Sequence, residues 1–142
     1  MKIQIKRFSE SIELPEKIAI GNWIDLRSAV EVNLKAGQYH LLSLGIGMKL
    51  PEGYEAIVAP RSSTPSKFGI ILASGIGIID NAYSGDEDCW QFPAIAIRDT
   101  VIHKGDRICQ FRIQKCQPEI EFEEVDHLDK VSRGGIGSTG RR

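Results

Sequence analysis

The sequence lacks most of what would mark a specialised class of protein. It has no run of about 18 consecutive apolar residues, and its N-terminus, MKIQIKRFSE, starts charged but leads into no apolar stretch, so no membrane span or secretory leader is expected. It has no surplus of either charge. Lys and Arg number 18 against 19 Asp and Glu, a formal net charge of −1, so no nucleic-acid polymer is implied and any phosphate must be bound locally. The three cysteines, Cys89, Cys109 and Cys116, are an odd number with no CxxC spacing. That argues against a disulfide framework or a zinc site and leaves them as small buried hydrophobes, while the missing leader and span point to a cytoplasmic protein. An internal repeat and an interdomain linker are missing as well. A chain of 142 residues is long enough for one hydrophobic core and too short for two, so residues 1–142 are read as a single domain.

What the sequence does contain is short apolar or alternating runs between turn residues, with little of the 3.6-residue period of helices. The runs are Ile3–Ile5, Ala19–Leu26, Tyr39–Met48, Glu55–Val58, Ile70–Ala73, Ile76–Ile79, Phe92–Ile97, Arg107–Ile113 and Glu119–Val125. Short strands at this spacing predict an all-β sandwich, jelly roll or barrel. Ser62–Phe68, with its SSTPSK composition, suits a loop or a single helical turn, and Pro65 is tolerated only at the start of such a turn. The β core is expected over 1–131, followed by an arm at 132–142. From Arg133 the sequence reads RGGIGSTGRR, with almost nothing to pack into a core. Such a stretch is either a frayed terminus or a backbone able to wrap phosphate oxygens.

Glycine, hydroxyl and charged residues concentrate in five segments: WIDLRS (23–28), APRSS (59–63), GIGIIDNAYSG (75–85), KGDRICQ (104–110) and RGGIGSTG (133–140). Alone, each could be an ordinary turn. Together they supply arginines with hydroxyl neighbours, carboxylates, an amide and a glycine arm, which suits a triphosphate with a divalent cation.

In their order and spacing these five segments resemble the motifs of the homotrimeric dUTP pyrophosphatases, from residue 23 to residue 140. The resemblance implies a distorted jelly roll of the β-clip kind with a flexible glycine-rich C-terminal arm. It also implies a homotrimer whose active sites are shared between chains, and Mg²⁺-assisted hydrolysis of dUTP to dUMP and pyrophosphate, which would supply dUMP and keep uracil out of DNA. Carried over by residue, Asp80 resembles the general base that activates the attacking water. Tyr83 resembles the ring that packs on the deoxyribose and leaves no space for a 2′-hydroxyl. Gly75, Ile76, Gly77 and Ile78 correspond to the hairpin whose backbone reads the uracil edge. Arg61, Ser62 and Ser63 resemble the phosphate grip, Gln110 the amide that reaches the phosphates, and Asp106 with Arg107 the corner that supports it. Asp25 resembles the acid that meets Mg²⁺ through water. Arg133, Gly137, Ser138 and Thr139 resemble the arm that closes over the γ-phosphate.

Three departures from the family pattern stand out. Ser74 occupies a usual asparagine position, Trp23 and Ile24 replace a small Ala-Gly pair, and the arm is two residues shorter with Ile136 where a stacking phenylalanine is usual. Trp90 and Phe92 in CWQFP are either substitutes for that aromatic or core residues on one strand face. Two other readings compete with the hydrolase: a dCTP deaminase, which shares the fold, and a nucleotide-responsive regulatory protein that binds a protein partner.

Overall fold

A computed structural model describes residues 1–141. It contains eleven strands and one short helix, all strand pairings being antiparallel. In chain order they are β1 (Gln4–Arg7), β2 (Ile24–Arg27), β3 (Val32–Leu34), β4 (Tyr39–Ser43), β5 (Ile46–Lys49), β6 (Tyr54–Pro60), α1 (Thr64–Phe68), β7 (Ile70–Leu72), β8 (Gly77–Ile79), β9 (Gln91–Ala96), β10 (Thr100–Ile102) and β11 (Arg107–Lys115). They form a four-stranded sheet ordered β2-β11-β6-β8, a three-stranded sheet ordered β4-β9-β7, and two ladders, β1-β5 and β3-β10.

Alternation along the strands decides which side chains meet. On β9, Phe92, Ala94 and Ala96 are buried while Gln91, Pro93 and Ile95 face the other way, the two-residue period of a strand with one covered face. On β6 the same period buries Ala56 and Val58. The inward sets of the two larger sheets join one core with Leu26, Leu42, Ile70, Leu72, Ile108 and Phe111. Trp90, fully buried, sits edge-on to Phe111 with ring centroids 5.4 Å apart and planes at 87°, tying the start of β9 to β11. Trp90 and Phe92 are therefore core residues, and neither is free to cover a base.

The expected strands exist with adjusted limits. The Tyr39–Met48 run is two strands: the Leu44 N–H still bonds the Trp90 carbonyl, but the Trp90 N–H skips to the Ile46 carbonyl, and the run breaks at Leu44 and Gly45. Of Ala19–Leu26 only the end from Ile24 is strand. Strands β3 and β10, three residues each, are too short to show a period in the sequence. The turn foreseen around Pro65 is α1, with the proline in its first turn. One expected strand is missing. Glu119–Val125 forms none, the last strand ends at Lys115, and every described residue from 117 onward is exposed. The strand core thus stops well short of residue 131, because nothing in the same chain lies beside this segment to pair with it. Of the cysteines, all free, only Cys109 is fully buried; Cys89 and Cys116 are partly exposed.

Candidate active site

Strands β2, β11 and β6 run side by side and bring three of the sequence segments together. Asp25 on β2 is the cross-strand partner of Gln110 on β11, and Gln110 pairs in turn with Ala59 on β6, so the side chains of Asp25 and Gln110 share a face. Arg61 follows the last residue of β6. Its Nε lies 3.1 Å from Asp25 Oδ1, and Arg107 Nη1 lies 3.3 Å from Asp25 Oδ2, so one carboxylate holds two guanidinium groups. Asp25 is only 17% exposed, which makes this pairing less screened than an ordinary surface ion pair. Arg61 also donates from Nη1 to the Arg107 carbonyl at 3.2 Å. Two of its five N–H donors are thus engaged, and the rest remain for an anion. Gln110 donates from Nε2 to the Pro60 carbonyl at 3.2 Å, which orients its amide along the same edge.

One residue of this cluster gave no sign of itself in the sequence. Thr64 is fully buried; its Oγ1 accepts the Arg61 backbone N–H at 2.8 Å and donates to the Ile108 carbonyl at 2.8 Å. A single hydroxyl locks the Arg61 backbone to β11. In the sequence it was one more hydroxyl in the SSTPS run. Ser62 and Ser63 lie between Arg61 and α1, and the Ser63 side chain makes no capping bond to the helix, so both hydroxyls stay available. Asp106 supports its corner as expected, its Oδ2 accepting the His103 N–H and its carbonyl accepting the Ser28 N–H. Beneath the cluster, burial and then the negative charge of Asp25 push the Cys109 thiol far above its usual range, so it stays a neutral packing group.

The segment 75–85 stands elsewhere. Strand β8 is the far edge of the four-stranded sheet, so one side of its backbone is unpaired, and a free strand edge offers a fixed row of donors and acceptors. Gly75 has φ +74° in the turn that enters it, a conformation only glycine adopts easily. At Gly77 a Cβ would come within 3.0 Å of the Val58 side chain, so the absence of a side chain is what lets β8 lie against β6. Ile76 and Ile78 are exposed beside this edge.

Past β8, the Asp80 carbonyl accepts the Tyr83 N–H at 2.9 Å, and Asp80 Oδ1 accepts the Ala82 N–H at 2.8 Å. One carboxylate oxygen is thereby fixed and the other is left for a water. The Tyr83 hydroxyl donates to the Cys89 carbonyl at 3.0 Å, which pins the exposed ring at its tip. Burial, then the neighbouring Asp88 and Cys89, raise the phenol above its ordinary 10.0, so it remains a protonated donor.

The register of β8 on β6 sets the distance between the two groups. Ile79 is level with Ala56, so Asp80 is level with Glu55, and Arg61 lies six residues further along β6. At the rise of a strand that is about 20 Å. Within one chain the backbones that carry the two groups therefore stand well apart. The arm is in neither place: Arg133, Gly137, Ser138 and Thr139 are all exposed, in two turns closed by the Ser138 N–H on Gly135 and the Gly140 N–H on Gly137.

A family model described as dUTPase matches residues 22–140. The chain belongs to the dUTPase family. It is similar over its whole length to the SPbeta prophage-derived deoxyuridine 5′-triphosphate nucleotidohydrolase YosS of Bacillus subtilis (strain 168), with 52% identity over 142 residues covering 100% of both chains. Its fold matches a solved dUTPase of Staphylococcus bacteriophage 80alpha in a structure with dUpNHpp, at TM-score 0.81 and 21% identity, covering 99% of each chain. It also matches a dUTPase mutant from phage phi11 of S. aureus, described with a structural Mg(II) ion, at TM-score 0.77 and 19% identity, covering 92% of this chain and 100% of that one. The four small sheets are thus the jelly-roll-like β arrangement of dUTPase structures.

Proposed function

We propose that this dUTPase-family chain is a dUTP nucleotidohydrolase, splitting dUTP into dUMP and pyrophosphate at sites built from more than one copy of the chain. The activity rests on family membership and on similarity over the full length to a dUTP nucleotidohydrolase. The shared site rests on one observation above all, the span of about 20 Å along β6 between the water-activating group and the phosphate grip. The unpaired tail supports the same reading. Ile120, Phe122, Val125, Leu128 and Val131 are exposed on their own protomer, and apolar side chains in such number call for a partner surface. A closed threefold assembly supplies one without leaving an open end.

In this reading Asp80 of one chain holds a water and takes its proton as the oxygen attacks the α-phosphorus; the α–β bridging bond breaks and pyrophosphate leaves. The backbone edge at Gly75–Ile78 reads uracil, where a cytosine would leave buried donors or acceptors unmatched. The Tyr83 ring closes the space beside the sugar. Arg61, Ser62, Ser63 and Gln110 of a neighbouring chain hold the phosphates, and Arg133 with the backbone around Gly137, Ser138 and Thr139 completes the enclosure.

Mg²⁺ fits this donor set in one manner only. Among the described residues there is no cluster of three or more His, Cys, Asp or Glu side chains placed to hold a metal. Asp25, already shared by two arginines, suits an outer-sphere contact through water, with the ion carried mainly by water and substrate oxygens. When bound, the ion would neutralise phosphate charge as the leaving group departs. The free thiols agree with a reducing cytoplasm, and no helix among the described residues is long and apolar enough to cross a membrane.

Pyrophosphate release from dUTP, dTTP, dCTP and UTP, with and without Mg²⁺, tests the reading. Rapid turnover of dUTP alone, lowered by chelation and restored by added Mg²⁺, is expected. Failure to turn over dUTP, or conversion of dCTP into a uridine nucleotide, contradicts it.

A further inference from the structure

Asp80 and Tyr83 stand on a turn that belongs to no strand, since β8 ends at Ile79 and β9 begins only at Gln91. The bonds within the turn shape it but do not fix it to the rest of the molecule. Two neighbouring side chains do. The Asn81 amide nitrogen lies 2.8 Å from the Pro51 carbonyl and 2.8 Å from the Tyr54 carbonyl, with the Leu50 carbonyl at 3.4 Å. An amide has two N–H donors, and two close carbonyls use both. Ser84 adds a second tie, its Oγ accepting the Leu50 N–H at 3.2 Å and donating to the Asn81 carbonyl at 2.7 Å. The turn is thus docked on the connection between β5 and β6. Along it the burial alternates in role: Asp80, Ala82 and Tyr83 are exposed toward the site, while Asn81 and Ser84 are half-buried.

We propose that Asn81 is the positioning residue of the candidate active site, its side-chain amide fixing Asp80 and Tyr83 against the β5–β6 connection while itself touching neither substrate nor water. The inference rests on the dUTPase reading above. Asn81 follows the aspartate directly, so any tilt of its amide plane is passed to Asp80 through one peptide unit and to Tyr83 through two. In-line attack tolerates little of this, since a displacement of about 1 Å can cost ~10²-fold in rate. Without the amide, the Tyr54 carbonyl loses this donor, the Pro51 carbonyl keeps only the Tyr54 N–H, and the turn is tied to the connection through Ser84 alone.

The test compares the parent enzyme, Asn81→Ala and Ser84→Ala in steady-state turnover of dUTP and UTP, in binding of a non-hydrolysable dUTP analogue, and in melting curves. For Asn81→Ala the expected result is a loss in kcat of about ten- to a hundredfold. The dUTP:UTP preference should fall as well, because the ring that excludes the 2′-hydroxyl has moved. Analogue affinity should change far less than kcat, because the phosphate grip comes from a different chain. Ser84→Ala should shift kcat and the preference in the same direction by less. A folded Asn81→Ala protein with parental kcat and preference overturns the proposal, including the case where only the melting temperature falls. If Asn81→Ala does not fold, parental kcat and preference in Ser84→Ala overturn it instead. An inactive parent would defeat the functional reading and this inference with it, whereas an active parent matched by an equally active Asn81→Ala defeats this inference alone.

Discussion

In the proposed mechanism single side chains carry the chemistry, and two of them have roles that substitution separates cleanly. Asp80→Asn keeps the size of the side chain and its bond to the Ala82 N–H, but cannot take a proton from water. Hydrolysis of dUTP is expected to fall by ~10²–10⁴. Binding of a non-hydrolysable analogue should stay near parental, since Arg61 and its neighbours do not involve Asp80; calorimetric titration beside a turnover assay checks both. Tyr83→Ala is expected to raise turnover of UTP relative to dUTP. The ratio is the diagnostic quantity, because loss of the ring also disturbs positioning in general, and an unchanged ratio removes Tyr83 from sugar selection. Thr64→Val probes the support beneath Arg61. It leaves the buried Ile108 carbonyl and the part-buried Arg61 N–H without this partner, at about 1–3 kcal/mol for an orphaned buried group, and should lower the denaturation midpoint together with phosphate affinity. Asp80, Tyr83 and Arg61 stood out in the sequence as candidates because the short motifs that hold them resemble those of the dUTPase family. Thr64 and Asn81 did not, because what matters about them is which distant carbonyl they reach, and only the folded chain brings Ile108 or Pro51 into range.

Strands and turns place those side chains, and here legibility followed length and amphipathicity. The longer strands β6, β9 and β11 stand within a residue or two of the apolar runs that predict them, whereas the three-residue β3 and β10 pair with each other. The Trp90 and Phe92 question shows the limit: two aromatics two positions apart on a chain fit a core strand and an aromatic lid equally well until the sheet register decides. The edge strand β8 yields its own prediction. Gly77→Val adds a branched side chain where even a Cβ meets Val58 at 3.0 Å, so it should loosen the β6–β8 pairing. Overpacking of this kind costs about 1–3 kcal/mol. Discrimination of dUTP from dCTP should decline in parallel if this edge reads the base, and parental discrimination in a folded variant would argue that the base is read elsewhere.

For the whole molecule, the apolar segment Glu119–Val125 is the part that its own chain leaves without a strand partner. Its apolar residues suit a strand, yet the chain has nothing left to pair them with, and all of 117–141 is exposed. A sequence cannot say to which copy of itself a segment belongs. The register of β8 on β6 speaks to the same question, because it sets the backbones of Asp80 and Arg61 about 20 Å apart in one chain, which supports the proposed shared site. The central claim, a dUTP hydrolase with sites shared between chains, is tested most directly by mixing two inactive variants, Asp80→Asn and Arg61→Ala, refolded together in equal amounts and assayed for dUTP turnover. Each alone should be inactive, and the mixture should recover about a quarter of parental activity, the random fraction for a site taking one intact residue from each of two neighbouring chains. Mixed oligomers that form and stay inactive would contradict the account.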